Sequence, residues 1–104
     1  MVRHVKIGPF LFDVFYEEGY IGEEGNTGTC CVGANELRVS KELSKTREHS
    51  ILIHEIIEAY NSLYDMKLPH SKINMLETII YDFIVSNQDL VSEITEEHNA
   101  VHGY

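Results

Sequence analysis

The sequence is poor in the residues that stabilise extracellular proteins or hold a chain in a membrane. Its two cysteines, Cys30 and Cys31, are adjacent, and neighbouring side chains on a strand point to opposite faces. A structural disulfide between them is therefore disfavoured, which favours a reducing, cytoplasmic setting. No apolar run approaches the roughly 20 residues that a membrane helix needs, and the first residues lack the apolar stretch of a secretory signal.

Basic residues are also scarce. The chain has 8 Lys and Arg against 17 Asp and Glu, which gives a formal net charge of −9. Such a surface repels a phosphate backbone, and the few cations are scattered rather than clustered. We therefore expect no nucleic acid partner. The acidic excess is compatible with metal ligation, with a basic partner or with solubility alone, and composition does not rank these.

The remaining residues predict a single α+β domain over residues 1–104. A chain with 43% hydrophobic and 24% charged residues has the composition of an ordinary globular protein. Residues 1–43 are interpreted as a β-ribbon region, residues 44–87 as a two-helix region that carries the candidate site, and residues 88–104 as a short helix and polar tail. We expect a small antiparallel sheet of three or four strands packed on two antiparallel helices, followed by a short C-terminal helix.

Alternating and β-branched residues predict the strands, at residues 2–7, 10–16, 29–32 and 36–40. The last two strands flank Gly33-Ala34-Asn35, which suits a tight hairpin turn because Gly and Asn tolerate a positive φ. The segment from Glu17 to Thr29 is rich in Gly and Glu, so we expect it to be a loop.

From Ser44 onward the apolar residues recur at the spacing of a helix. Ser44 is a suitable N-cap for the first helix, which should end near residues 66–69 because the residue before a proline avoids the helical region. Ser71 can cap a second helix over residues 72–86, and a short third helix is expected over residues 89–97. The two long helices should lie antiparallel.

The pentad from His54 to Glu58 is the segment that indicates chemistry. Residues four apart on a helix lie one turn apart on the same side, so His54 and Glu58 can reach one ion. Glu55 points about a quarter turn away, where a carboxylate can take a proton from water activated by the metal without being a ligand itself. This is the logic of the His-Glu-x-x-His helix of metalloproteases, with Glu58 in place of the second histidine. The alternative is a chance pattern in which His54 is a packed, hydrogen-bonded side chain.

Two residues of the second helix are candidates for a third ligand. Glu77 falls in the apolar stripe of that helix, where a carboxylate must be paired, coordinated or protonated. Antiparallel packing brings Glu77 roughly level with Glu58, which makes it the better candidate on geometry. His70 stays nearer the turn but restores two imidazoles, which makes it the better candidate for zinc on chemistry. Alternatively, Glu77 is a hydrogen-bonded core acid and His70 caps the helix.

The segment 52–61, followed by 68–73, resembles small zincin-like proteins encoded by phages and prophages of bacteria. Those proteins also begin with a strand like Val5-Lys6-Ile7-Gly8, continue with a β-ribbon and carry the metal helix before a second helix. They are related in style to the minimal metallopeptidase domains of the SprT and ImmA types, and many have His at the position of Glu58. The resemblance implies a metallopeptidase-like fold that binds zinc or another divalent metal.

Three functional hypotheses follow. The leading one is a zinc-dependent hydrolase of peptides or proteins, in which His54, Glu58 and either Glu77 or His70 hold the metal and Glu55 is the general base. The second is a catalytically inactive zincin-fold module with which a phage engages a host protein in the host cytoplasm. The third is a structural domain without metal. A chain of 104 residues leaves little room for a substrate groove, which favours completion of the site by a partner or by a homodimer.

Overall fold

The computed structural model describes residues 3–18, 27–41 and 44–102. The described residues form a four-stranded sheet followed by three helices, which confirms the α+β prediction. None of the described helices combines the length and the apolar character needed to cross a membrane. The strands are β1 (Arg3–Ile7), β2 (Phe10–Glu18), β3 (Gly28–Cys31) and β4 (Glu36–Lys41), and the helices are α1 (Lys45–Leu63), α2 (His70–Ser86) and α3 (Gln88–His102).

The sheet is mixed, whereas the sequence led us to expect antiparallel pairing throughout. Its strand order is β1-β2-β4-β3; β1 pairs with β2 and β3 with β4 in antiparallel hairpins, but β2 and β4 are parallel. Parallel neighbours need a longer connection than a hairpin turn, and residues 19–35, which include β3, provide it. Of the expected loop, residues 17–18 belong to β2 and 28–29 to β3, and residues 19–26 lie outside the described residues.

The β3–β4 hairpin turns where the sequence predicts it. Asn35 has a φ of 54°, and its N–H donates to the Val32 carbonyl at 3.1 Å. Asparagine tolerates this left-handed conformation better than most residues. The turn returns the chain as β4, antiparallel to β3, and both strands contact α1.

The core lies between the sheet and α1. The helix is capped as expected by Ser44, whose hydroxyl accepts a hydrogen bond from the Arg47 N–H at 3.3 Å. Burial of one large aliphatic side chain contributes roughly 1.5–3 kcal/mol, so the shared core holds α1 firmly on the sheet. Its buried members are Ile7, Phe12, Val14, Leu37, Val39, Ile51, Leu52 and Ala59.

The second helix begins two residues before the expected start. Pro69, rather than Ser71, is the N-cap, with φ −71° and ψ 157°. Its carbonyl accepts hydrogen bonds from the N–H groups of Lys72 at 2.9 Å and Ile73 at 3.2 Å. The ring of proline fixes φ near this value, so the extended residue before the helix is preorganised. His70 is therefore the first residue of α2, immediately after the turn between the two long helices.

The apolar residues of α2 are less buried than the sequence predicts. Within this fully described helix, Ile73 alone is buried. The sequence led us to expect the sheet to pack on both long helices, but α2 packs on α1 and not on the described strands, so a single helix covers it. The third helix is longer than expected and has no buried residue.

Candidate metal centre

A cleft of about 780 Å³ opens between α1, α2 and β3. The middle of α1 forms its floor, the first turns of α2 form one wall, and β3 forms the other. Polar side chains line most of it. All of the candidate site residues from the sequence line this cleft: His54, Glu55, Glu58, His70 and Glu77.

His54 lies at the centre of the site, with its side chain 14% exposed. Its Nδ1 atom lies 3.0 Å from Glu77 Oε1, and its Nε2 atom lies 3.9 Å from Glu58 Oε2. Because a carboxylate accepts hydrogen bonds, the contact with Glu77 favours the tautomer in which Nδ1–H is the donor. Nε2 then has a free lone pair that faces Glu58.

The side chains of His54, Glu58 and His70 converge. One ligand atom from each lies within 4.8 Å of the others, and the two imidazole centroids are 5.2 Å apart at an interplanar angle of 65°. Two imidazoles and one carboxylate are a donor set typical of catalytic zinc sites, which leave a fourth position open. The chemistry of the residues therefore fits zinc.

Glu77 lies next to this group rather than within it. The sequence suggested a carboxylate buried in hydrocarbon and level with Glu58, but the side chain is 24% exposed in the cleft and contacts His54 instead. The register of two packed helices depends on their turn, and α2 begins earlier than expected. The structure thus brings His70 together with the α1 pair, and it places Glu77 as the hydrogen-bond partner of His54.

Glu55 is buried, with 7% of its surface exposed. Burial, and then the negative charges of Glu58 and Glu77, raise the pKa of the Glu55 carboxyl to about 7. Its carboxyl lies against the backbone of β3, since a Cβ atom on Gly28 would come within 2.8 Å of Glu55 Oε2. The absence of a side chain at Gly28 is therefore what makes room for this carboxyl.

The vicinal cysteines differ in environment. Cys31 is exposed, whereas Cys30 is partly buried and lines the cleft. Burial, followed by the charges of Glu55 and Glu58, raises the pKa of the Cys30 thiol to about 12. Cys30 is thus a protonated thiol at neutral pH, unsuited to act as a nucleophile. Both cysteines are free, as expected.

Sequence reasoning missed two residues that shape the site. Gly28 makes room for Glu55, and Asn61 holds the turn before α2, because its side-chain amide donates to Leu68 O at 3.3 Å and accepts from Leu68 N–H at 2.9 Å. No spacing of residues along the sequence indicates either role, since each depends on a contact with a segment that only folding brings close.

The site therefore combines three convergent side chains that carry ligand atoms, a buried carboxyl and a hydrogen-bonded imidazole in one cleft. This arrangement can hold a divalent cation and place a titratable group near neutral pH beside it. No protein family model, curated protein or solved structure matches this chain.

Proposed function

We propose that this protein is a zinc-dependent hydrolase of peptides that works in a reducing cytoplasm. The observation that carries the proposal is the convergence of His54, Glu58 and His70 beside the buried carboxyl of Glu55. Chance placement of ligands explains a His-x-x-x-Glu pair on one helix. A third candidate ligand from a second helix, and the raised pKa of Glu55 in the same cleft, add support from a separate part of the chain.

His54, Glu58 and His70 would hold the zinc ion. Bound there, zinc supplies Lewis-acid activation of water and of a substrate carbonyl. The exposed side chain of His70 can rotate to adjust its distance from the other two ligands, while His54 is held from behind by Glu77. A hydrogen bond from the second nitrogen of a histidine ligand fixes its tautomer and raises its basicity.

Glu55 would accept the proton from the attacking water and later return it to the leaving amine. A base is most effective when its pKa lies near the working pH, and the pKa of about 7 for Glu55 meets that condition in the metal-free protein. Contact with the β3 backbone at Gly28 limits where this carboxyl can move. The proton acceptor is thus positioned before a substrate arrives.

The edge strand β3 offers a place for the substrate. β3 is the outermost strand of the described sheet, next to β4, and Gly28 and Cys30 line the cleft. An extended peptide can add to such an edge through main-chain hydrogen bonds, which suits a hydrolase of limited side-chain specificity. The carboxylates of the cleft favour neutral or basic peptides over acidic ones.

Metal content tests the first part of the proposal. Protein purified without chelator should contain about one zinc ion per chain, and His54→Ala should remove it. His98 and His102 lie four residues apart on α3, with ring centroids 4.2 Å apart, so they are a second pair that could take up zinc weakly. His98→Ala is therefore the control, and it should leave the tightly bound ion in place. Zinc that is lost in His98→Ala and retained in His54→Ala would contradict the proposal.

A Glu55→Gln variant tests catalysis separately from metal binding. It should keep the zinc ion and lose peptide hydrolysis by a factor on the order of 100 or more, because the proton acceptor is gone. Glu93→Gln makes the same chemical change on α3 and should leave hydrolysis unaltered. The inactive binding module would be supported instead by two results together. Zinc-loaded wild type would cleave no member of a diverse peptide mixture, and wild type and Glu55→Gln would bind a host protein equally well.

A further inference from the structure

The third helix lacks the packing that normally stabilises a helix. Among the described elements α3 contacts α2 alone, and none of its 15 residues is buried. Helices of this length are marginal in water without a packed face. Yet α3 has such a face: Leu90, Ile94 and Val101, here called the α3 stripe, recur at spacings of four and seven residues, and Ile94 is 56% exposed.

The second half of α2 has a matching apolar surface. Five of its seven residues from 79 to 85 are large apolar side chains that remain partly exposed, with Ile79 at 54% and Phe83 at 46%. Together they surround much of the helix, and a helix that is apolar on most sides is normally buried. This surface, here called the α2 patch, comprises Ile79, Ile80, Phe83, Ile84 and Val85.

The α3 stripe cannot reach the α2 patch within one chain. Asn87 is the single residue between the two helices, whereas an antiparallel helix hairpin needs a loop of about two to five residues. Both surfaces therefore remain open in the monomer, and both are apolar. A second copy of the chain can cover both.

We propose that the protein is a homodimer in which the α3 stripe of each copy packs on the α2 patch of the other. Two-fold symmetry makes the exchange reciprocal, so one interface buries two stripes and two patches. The α3 stripe and the α2 patch together have eight apolar side chains, each about half exposed. Packing them in the interface would remove on the order of 400 Å² of apolar surface per copy from water. That is close to the apolar share of a standard interface, which buries roughly 800 Å² per partner.

Most charges of α3 lie away from the α3 stripe. Asp89, Glu93 and Glu96 lie outside it by their helical positions, so they can remain in water at the rim. Glu97 lies between Ile94 and Val101 at the edge of the stripe, so its carboxylate must extend past the partner helix into water. The two copies carry a net charge of −9 each and repel one another at long range. Added salt screens that repulsion, and association should therefore strengthen as the salt concentration rises. A basic partner held by the same acidic residues would show the opposite dependence.

Sedimentation equilibrium tests the dimer with a matched pair of variants. Wild type, measured with chelator from low to high micromolar concentration, should have twice the chain mass of 11.9 kDa. Ile94→Glu puts a charge on the α3 stripe and should weaken association on the order of 100-fold. Ser92→Glu adds the same charge on the opposite side of α3 and should remain dimeric.

Phe83→Glu tests the other half of the interface and should also give monomers. Ile94 and Phe83 are exposed within the single chain, so both variants should keep the fold. Thermal unfolding of each variant, measured with chelator present, can verify this. A wild type that is monomeric throughout, a dimeric Ile94→Glu, or a monomeric Ser92→Glu would each overturn the proposal. The dimer is measured without metal, and its interface excludes His54, Glu55 and Glu58. A monomeric protein would therefore leave the proposed hydrolase untouched, and a protein without zinc or hydrolysis would leave the proposed dimer untouched.

Discussion

At the scale of single residues, the two nitrogens of His54 have different partners. Nδ1 is hydrogen-bonded to Glu77 at 3.0 Å, and Nε2 lies 3.9 Å from Glu58 Oε2. One nitrogen thus orients the ring, and the other is available as a ligand. Glu77 thus orients His54, whereas His70 would be a ligand itself, so substitutions at the two residues should affect metal binding differently. The sequence alone did not distinguish these roles.

Substitutions at Glu77 and His70 should weaken zinc binding to different degrees. Glu77→Gln keeps an oxygen that can accept the hydrogen bond from His54 and loses only the charge, so zinc affinity should fall roughly 10- to 100-fold. His70→Ala removes an imidazole from the ligand group and should reduce affinity much further. Competition with a chromogenic chelator measures both. Tight binding in His70→Ala, together with loss of binding in Glu77→Gln, would show that Glu77 is the third ligand.

Glu55→Gln should stabilise the metal-free protein above neutral pH. The pKa of Glu55 is raised from 4.5 to about 7 by burial, Glu58 and Glu77, so the folded state favours the protonated carboxyl. Wild type is therefore most stable below pH 4.5 with respect to this group and loses stability as the pH rises to 7. The variant does not titrate, and its advantage should grow across this window to on the order of 3 kcal/mol.

Urea unfolding at several pH values, with chelator present, measures this difference. Cys30 on β3 also has a displaced pKa and lines the same cleft, and it stays protonated across the window. It should therefore not contribute to the pH dependence. An advantage of Glu55→Gln that is equal at pH 4 and pH 8 would mean that the carboxyl is charged at both values or neutral at both.

At the scale of elements, the turn between α1 and α2 controls where His70 stands. Asn61 on α1 makes two hydrogen bonds to the backbone of Leu68, and the helix starts at His70, two residues further on. Asp65 and Lys67 in the same turn have φ values of 48° and 59°, a conformation that non-glycine residues seldom adopt. The side chain of Asn61 thus helps to hold a strained connection in place.

Asn61→Ala should lower both stability and zinc affinity. Loss of the two hydrogen bonds should cost about 1–3 kcal/mol, and the released turn should let His70 move away from His54. Asn74→Ala changes the same residue type at an exposed position of the cleft and should have little effect on either property. Urea unfolding and zinc titration measure the two effects. If zinc affinity stays unchanged while stability falls, the turn does not position His70.

At the scale of the whole molecule, the proposed site connects a well-packed part to a poorly packed one. α1 is held on the sheet by the shared core, whereas α2 contacts α1 alone among the elements that precede it. A ligand group with members on both helices would add a link that the apolar contacts of a single chain do not supply. Metal binding should therefore stabilise the folded state as a whole.

Removal of metal should lower the unfolding temperature. Zinc at about a hundredfold excess over its dissociation constant contributes about 2.7 kcal/mol, which corresponds to a shift of roughly 10 to 20 °C for a domain of this size. Differential scanning calorimetry with zinc and with chelator measures it. His54→Ala should show no such shift, and an equal shift in that variant would place the bound zinc elsewhere, for instance at His98 and His102.

Local features of this protein were determined by the sequence alone. The Ser44 cap, the Asn35 turn and the common side of His54 and Glu58 each depend on residues within four positions of one another. Steric limits on φ and the helical repeat fix such arrangements whatever the rest of the chain does. The α+β architecture also followed from the change in apolar period near residue 44.

Tertiary structure decided the features that join distant segments. Four features arise from contacts between elements. They are the parallel pairing of β2 with β4, the position of His70 beside His54, the space for Glu55 at Gly28, and the raised pKa of Glu55. Helix register changes when a turn is shifted by one or two residues, and a carboxyl responds to the burial and charge that surround it. Both are properties of packing in three dimensions, and no spacing along the chain encodes them.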